Sequence, residues 1–239
     1  MAGDVAQCIA RGSSFRFQDL YALMYQRNIG RVQTDNNLYN PLKPKQFELN
    51  VNYRSHNGIL RLASSVIQLI QHFFPDSIDK LSPEYGEIDG PQPLVFEGYQ
   101  ANTLFTTDIS DKNMKKKDED TYIEFGAKKR VVGNISDIGL VLTVFEAKGL
   151  EFNDVLLYDF FSDSPARSNW RVILSVLDDY SEGIRTFSHE KHYILSSELK
   201  HLYVAVTRAR ERLWIFDEDP EFSEPIRKYW KCKKLVKNE

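Results

Sequence analysis

The stretch Tyr193-Ile-Leu-Ser-Ser-Glu-Leu-Lys-His-Leu-Tyr-Val-Ala-Val-Thr-Arg208, followed almost at once by Arg212-Leu-Trp-Ile-Phe216, decides the fold class. Its first part has the pattern of a helix, and its second part is a short apolar run typical of a strand. A helix that passes directly into a strand is the unit from which α/β domains are built. We therefore expect an α/β fold.

The rest of the chain repeats this alternation. Phe47 to Tyr53 alternates apolar and polar residues, which predicts a strand. Apolar residues then recur at steps of three and four from Ile59 to Phe73, which predicts a helix that stops at Pro75. Gly139 to Phe145 and Asp154 to Phe160 are apolar runs of the kind found in buried parallel strands. The segments 33–46 and 110–120 lack periodicity and are predicted loops, the first a linker between domains.

Composition excludes several classes of protein. The 239 residues are 42% hydrophobic and 27% charged, and no apolar run is long enough to cross a bilayer. The first residues lack the pattern of a secretory signal, so we expect an intracellular protein of the nucleus or cytoplasm. Cys8 and Cys232 have neither metal-ligand spacing nor a disulfide framework, and we expect no metal site.

Charge limits how the chain could contact nucleic acid. The net charge of -3 excludes a protein that is strongly basic overall, so any contact with nucleic acid must be made by a local group of residues. Basic residues cluster at 115–117, at 128–130 and in the tail 227–237. Charge runs of this kind usually form solvated surface, and that interpretation is favoured here.

Four short strings carry the functional signal: Gly3-Asp-Val-Ala-Gln7-Cys-Ile9, Asn52-Tyr-Arg-Ser55, Thr143-Val-Phe-Glu-Ala-Lys-Gly-Leu-Glu-Phe152 and Leu202-Tyr-Val-Ala-Val-Thr-Arg-Ala-Arg210. In this order they resemble motifs III, IV, V and VI of the UvrD/Rep-like superfamily 1 helicases. The resemblance implies a RecA-like parallel sheet flanked by helices, the second lobe of such a motor without its phosphate loop. It also implies a motif III remnant of the first lobe with a linker over 1–46, and the second lobe over 47–239.

The resemblance assigns the nucleotide-facing roles. Arg54 and Arg208 would supply positive charge to the γ-phosphate of ATP, and the planar guanidinium suits that task. Gln7 would couple the γ-phosphate to movement between the lobes. Tyr53 would stack on the adenine, and Glu151 would accept a hydrogen bond from the ribose. The alternatives are surface ion pairs for the arginines, a core position for Tyr53 and a surface carboxylate for Glu151.

The nucleic-acid side of the resemblance is less complete. Thr143, Lys148 and Gly149 match the part of motif V that meets the backbone of a single strand, DNA or RNA. Phe145 stands where the family has a histidine, and motif III lacks its usual Tyr and Trp. Two stacking platforms are therefore altered, although Phe145 or Phe15 offers an aromatic face that could replace them.

No Gly-rich loop ending in Lys-Ser/Thr occurs in the chain, and no acidic magnesium motif accompanies it. ATP with Mg²⁺ would therefore bind only together with an upstream RecA-like lobe. We expect the isolated chain neither to bind ATP tightly nor to hydrolyse it. Two other hypotheses remain open: a nucleotide-responsive protein-interaction module that has lost helicase activity, and a purely structural scaffold.

Overall fold

The computed structural model describes residues 3–10, 15–32, 45–80, 82–96, 140–177 and 187–238. The helices are α1 (Phe17–Val32), α2 (Asn57–Phe73), α3 (Val144–Ala147), α4 (His189–Val206) and α5 (Pro220–Cys232), with 3₁₀ helices at Val5–Gln7 and Arg167–Val176. The strands are β1 (Val51–Asn52), β2 (Tyr85–Gly86), β3 (Leu94–Val95), β4 (Phe152–Tyr158), β5 (Ala209–Phe216) and β6 (Lys237–Asn238).

Every strand pairing among the described residues is parallel. Four strands form one sheet in the order β4-β5-β3-β6, and β1 pairs with β2 in a separate two-stranded sheet. The long pair, β4 and β5, runs in register from Asp154 opposite Arg212 to Tyr158 opposite Phe216. Parallel strands place their amino ends at one edge, so the residues that precede β4 and β5 lie side by side. The predicted α/β fold with a parallel sheet and flanking helices is confirmed.

The core is built mainly from the apolar faces of two packed helices, α2 and α4, and from the central strands. The largest fully buried side chains include Trp170 and Trp230. Trp230 donates from Nε1 to Ser65 Oγ at 3.2 Å, which satisfies its one polar atom. Val5 and Ala6 from the start of the chain belong to the same core cluster, at 1% and 0% exposure.

Four of the predicted elements are present, one predicted strand is reduced to two residues, and another forms no strand over its described residues. The pattern over 47–53 gives a strand only at Val51–Asn52, and Phe47 and Leu49 are 82% and 92% exposed, so the inward alternation is wrong. Tyr53 is 79% exposed and is not a core residue. In the predicted strand over 139–145, residue 139 lies outside the described residues, 140–143 form no strand, and Val144 begins α3.

Thr143 explains why a helix begins there. Its hydroxyl accepts from the backbone N–H of Glu146 at 3.3 Å, and the Glu146 carboxylate accepts from the backbone N–H of Thr143 at 2.8 Å. This reciprocal arrangement is a capping box, which favours a helical turn over an extended strand.

Most of the predicted loop at 33–46, all of that at 110–120 and the basic clusters at 115–117 and 128–130 lie outside the described residues. Over the part of the chain that is described, no helix combines the length and apolar character needed to cross a membrane.

Candidate functional site

Arg54 is positioned by the turn that ends β1. The side-chain oxygen of Asn52 accepts from the backbone N–H of Arg54 at 2.9 Å and from that of Ser55 at 3.0 Å, which fixes a tight turn. The Ser55 hydroxyl then donates to the carbonyl of Ala209 at 2.6 Å. The turn that carries Arg54 is therefore tied to the first residue of β5.

Glu151 pairs with two arginines from different elements. It forms an ion pair with Arg54, and its other oxygen lies 3.8 Å from the Arg210 guanidinium. The side chains of Arg54, Arg210 and Glu151 are 44%, 47% and 41% exposed, so the group stays in contact with solvent. Motif IV, motif V and the start of β5 therefore meet at one surface.

Arg208 lies beside this group but is buried, with 1% of its surface exposed. Its Nε donates to the carbonyl of Val204 at 2.9 Å, one Nη to the carbonyl of Leu150 at 2.8 Å, and the other Nη to Thr207 Oγ1 at 3.1 Å. Burial lowers the pKa of Arg208, and the nearby positive charge of Arg54 lowers it further. In this position the N–H donors of Arg208 are bonded to protein oxygen atoms, and a phosphate would have to replace those atoms as acceptor.

Four charged residues thus gather at the amino ends of β4 and β5, where Glu151 directly precedes β4 and Arg208 directly precedes β5. The backbone N–H of Phe152 donates to the carbonyl of Arg208 at 2.9 Å, which joins the two strand starts. Three arginines and one glutamate leave a net positive charge at this edge. Such a cluster suits an anion with several oxygen atoms, such as a polyphosphate. Its members are Arg54, Glu151, Arg208 and Arg210, and we refer to it as the arginine cluster.

Gln7 lies in a second polar group. Its side-chain amide donates to Asp4 Oδ2 at 2.8 Å, and Asp4 Oδ1 accepts from the backbone N–H of Ala6 at 2.9 Å. The hydroxyl of Tyr203 lies 3.3 Å from the same Asp4 oxygen. Burial lowers the pKa of Arg208 overall, and the negative charge of Asp4 partly opposes that lowering.

Tyr53 precedes Arg54 in the β1 turn and presents an exposed ring. An exposed aromatic face beside a cationic cluster can stack on a planar base. Tyr53 directly precedes Arg54 in the chain, and Arg54 forms the ion pair with Glu151.

The motif V residues follow one another through α3 and the turn after it. Thr143 caps α3, Lys148 ends it with an exposed side chain, and Gly149 has a φ of +87° with open space where a Cβ would stand. That left-handed φ is one that glycine adopts without strain. The next residue, Leu150, supplies the carbonyl that Arg208 contacts, so motif V is joined to the arginine cluster.

Phe145 occupies the solvent side of α3. It is 53% exposed, and its ring packs edge-on against His201 with 5.1 Å between ring centroids. The His201 Nδ1 lies 2.9 Å from a carboxylate oxygen of the buried Glu198, which fixes the imidazole beneath the ring. Phe145 therefore presents a supported aromatic face next to Lys148.

Sequence reasoning missed Arg210, Asp4 and Tyr203 as members of these groups. Arg210 stands in the same string as Arg208, two positions on, and the alternation of β5 could have singled it out. No local signal marks Asp4 and Tyr203 as partners, because 199 positions separate them. Among the described residues, no group of three or more His, Cys, Asp or Glu side chains is arranged to hold a metal ion.

Comparison with known proteins identifies a matching family and a similar human protein. Residues 127–218 match the model of the UvrD-like helicase C-terminal domain. The human TPR and ankyrin repeat-containing protein 1 is 39% identical over 261 aligned positions, which cover 96% of this chain. The chain spans 9% of the length of that relative.

Proposed function

Because the chain carries a UvrD-like helicase C-terminal domain, we propose that it is the second RecA-like lobe of an ATP-dependent nucleic-acid helicase or translocase. The observation that carries this proposal is the arginine cluster at the amino ends of β4 and β5. In phosphoryl transfer, positive charge aimed at the γ-phosphate oxygens lowers the barrier, and arginine supplies it with a fixed geometry.

Arg54 and Arg208 are the proposed γ-phosphate ligands. Arg54 is half-exposed and needs only to exchange Glu151 for a phosphate oxygen. Arg208 must give up at least one of its hydrogen bonds to bind a phosphate. Two of them go to the end of its own helix, and the third goes to the carbonyl of Leu150. A displacement of the turn at Gly149 and Leu150 would therefore release Arg208 toward the cleft.

The remaining nucleotide contacts are proposed on the same edge. The exposed ring of Tyr53 would stack on the adenine, and Glu151 would accept from a ribose hydroxyl once Arg54 has left it. Gln7 would respond to the γ-phosphate, and its hydrogen bond to Asp4 would couple that response to the rest of the lobe. The phosphate loop and the magnesium ligands would come from a first RecA-like lobe, and ATP with Mg²⁺ is proposed to bind between the two lobes.

Thr143, Lys148 and Gly149 are the proposed contacts to the backbone of single-stranded DNA or RNA. The exposed Lys148 ammonium can neutralise a phosphate, while Gly149 lets the main chain approach it closely. Such contacts hold a strand without reading its sequence. Because Leu150 directly follows Gly149, a strand bound there would act on the same turn that holds Arg208.

The test joins this chain to a first RecA-like lobe with a phosphate loop and measures ATP turnover with and without single-stranded DNA or RNA. We expect stimulation by at least one polymer, and a loss of about a thousandfold or more on Arg54→Ala. Arg171→Ala is the matched control, since this exposed arginine pairs with Glu221 away from the site. The isolated chain should be inactive, so a magnesium-dependent ATPase activity of this chain alone would contradict the proposal.

One observation favours a second candidate, a nucleotide-responsive protein-interaction module. The region around motif V exposes several apolar side chains, at 37% to 53% of their surface: Leu140, Val141, Phe145 and Leu150. Exposed apolar patches often mark protein contacts. In the joined protein, ATP turnover that neither DNA nor RNA changes would favour this module over the translocase.

A further inference from the structure

A large groove is lined in part by Asp4 and Tyr203 and shares no residue with the arginine cluster. It has a volume of about 670 Å³ and runs between α1, α2 and the chain segments 45–50 and 82–84. Pockets that bind small molecules commonly have volumes of about 300–1,000 Å³, so the groove has room for several side chains. We call it the α1–α2 groove.

The walls of the α1–α2 groove are largely apolar, with polar side chains such as Ser64, Gln68 and Gln71 among them. α1 contributes Phe17, Leu20 and Met24, and α2 contributes Ala63 and Ile67. Its rim carries the most exposed large hydrophobic side chains of the described chain, Leu49 at 92% and Phe47 at 82%. Contiguous apolar surface of this kind stabilises binding of apolar groups by removing them from water.

One end of the groove is acidic. The buried Tyr203 places its hydroxyl 3.3 Å from Asp4 Oδ2 and 3.5 Å from Glu84 Oε1. A phenol has one proton, so it can donate fully to only one of these two carboxylates. Burial raises the pKa of Tyr203, and the negative charges of Asp4 and Glu84 raise it further. The pair therefore has acceptor capacity that a cation would fill.

The charge of the whole lining has the same sign. Among the described lining residues, Lys45 is the basic member, whereas Asp4, Glu48, Asp79 and Glu84 are acidic. Asp79 is already engaged, since it accepts from the backbone N–H of Phe17 at 2.6 Å and lies 3.6 Å from Arg16. Asp4 also accepts from Ala6 and Gln7, and Glu84 Oε2 accepts from Asn52 at 3.0 Å, so the least occupied carboxylate oxygen at this end is Glu84 Oε1. Nucleic acid and nucleotides, which are polyanions, are repelled by this lining.

We propose that the α1–α2 groove is a docking site for a partner protein's apolar peptide segment that carries a lysine or arginine. The apolar side chains of the peptide lie between α1 and α2, against Leu20, Met24 and Ile67 of the groove. The cationic group enters between Asp4 and Glu84 and pairs with both carboxylates. Charge complementarity selects the cationic peptide, and apolar burial supplies the affinity.

The test uses two fluorescein-labelled, leucine-rich peptides that are identical except at one central position. That position is lysine in one peptide and norleucine in the other, which keeps the stem and removes the charge. Fluorescence anisotropy with the whole chain gives both dissociation constants. We expect the lysine peptide to bind about fivefold more tightly, as a partly exposed ion pair provides.

Two sets of variants separate the charge from the apolar walls. The double variant Asp4→Asn, Glu84→Gln keeps the side-chain shapes and should remove the preference for lysine without weakening the norleucine peptide. Asparagine also keeps the cap that Asp4 provides to Val5–Gln7. Phe47→Ser with Leu49→Ser should weaken both peptides, and Glu190→Gln, an exposed carboxylate on α4, should change neither.

Three results would overturn the proposal: no binding of the lysine peptide at about 1 mM, equal binding of the two peptides, or a lysine preference that survives the double variant. Self-association of the chain that Phe47→Ser with Leu49→Ser abolishes, and that the peptides do not displace, would assign the groove to a second copy instead. The proposal is independent of ATP turnover, since none of these measurements involves nucleotide.

Discussion

Arg54 and Arg208 have the same proposed ligand but are held in different ways. Arg54 forms a half-exposed ion pair, whereas Arg208 is buried and hydrogen-bonded to two main-chain carbonyls. An exposed ion pair contributes little stability, because water already solvates both charges. A buried donor that satisfies buried carbonyls contributes more, because its removal leaves them without a partner.

We therefore predict that Arg208→Ala lowers the free energy of unfolding by about 2–4 kcal/mol, whereas Arg54→Ala lowers it by less than about 1 kcal/mol. Urea denaturation of the two variants, followed by circular dichroism, measures the difference. Similar losses for both would show that Arg208 is not held by the contacts described here. Because of this structural role, tests of its action on ATP should use Arg208→Lys, which keeps the charge but not the planar fork.

At the scale of elements, the carboxyl ends of β4 and β5 are joined by a buried acid. Asp217 follows β5, and its Oδ1 accepts from the backbone N–H of Phe161 and of Ser162, each at 3.0 Å. Its Oδ2 is buried without a hydrogen-bond partner among the described residues. Burial raises the pKa of Asp217 from 3.8 to about 7, the hydrogen bond from Ser162 opposes this, and the charge of Asp159 adds to it.

The raised pKa predicts a pH dependence of stability. Between pH 3.8 and about 7 the folded chain binds a proton at Asp217 that the unfolded chain does not, so this contribution to stability is complete below 3.8 and falls as pH rises through about 7. The slope reaches at most about 1.4 kcal/mol per pH unit. Asp217→Asn should flatten the dependence of the unfolding free energy on pH in this window, and Asp76→Asn, at an exposed carboxylate, should not.

The elements that sequence predicts correctly are those whose pattern and packing agree. α2 and α4 have long segments with many buried positions, and β4 is a buried run, so each can be predicted from local residues. The pattern over 47–53 fails because alternation alone does not supply a partner strand, and only Val51–Asn52 has one. The strand over 139–145 fails because the Thr143 capping box, itself visible as Thr-x-x-Glu, outweighs the apolar run.

At the scale of the whole molecule, contacts between distant segments escape sequence reasoning. The resemblance to known motifs identifies Arg54, Glu151 and Arg208 from the sequence. It does not identify the contacts of Tyr203 with Asp4 and Glu84, which are 199 and 119 positions away. The side chains of Val5 and Ala6 likewise enter the core beside α4. The resemblance divides the chain into a remnant over 1–46 and a lobe over 47–239, and that division remains a proposal. Because Val5 and Ala6 are buried in the common core, the first of these two segments contributes to the stability of the second.

We predict that removal of residues 1–10 destabilises the chain. Val5 and Ala6 are 1% and 0% exposed, and complete burial of a valine side chain contributes about 1.5–3 kcal/mol. The truncation also removes Asp4, a hydrogen-bond partner of the buried Tyr203 hydroxyl. We expect a loss of about 2–4 kcal/mol in the free energy of unfolding by urea. Val5→Ala in the full chain should reproduce part of that loss, and Gln7→Ala should not, because Gln7 contacts Asp4 at the surface. A truncated chain as stable as the whole one would place residues 1–10 outside the cooperative unit and return them, as the family resemblance implies, to the first lobe.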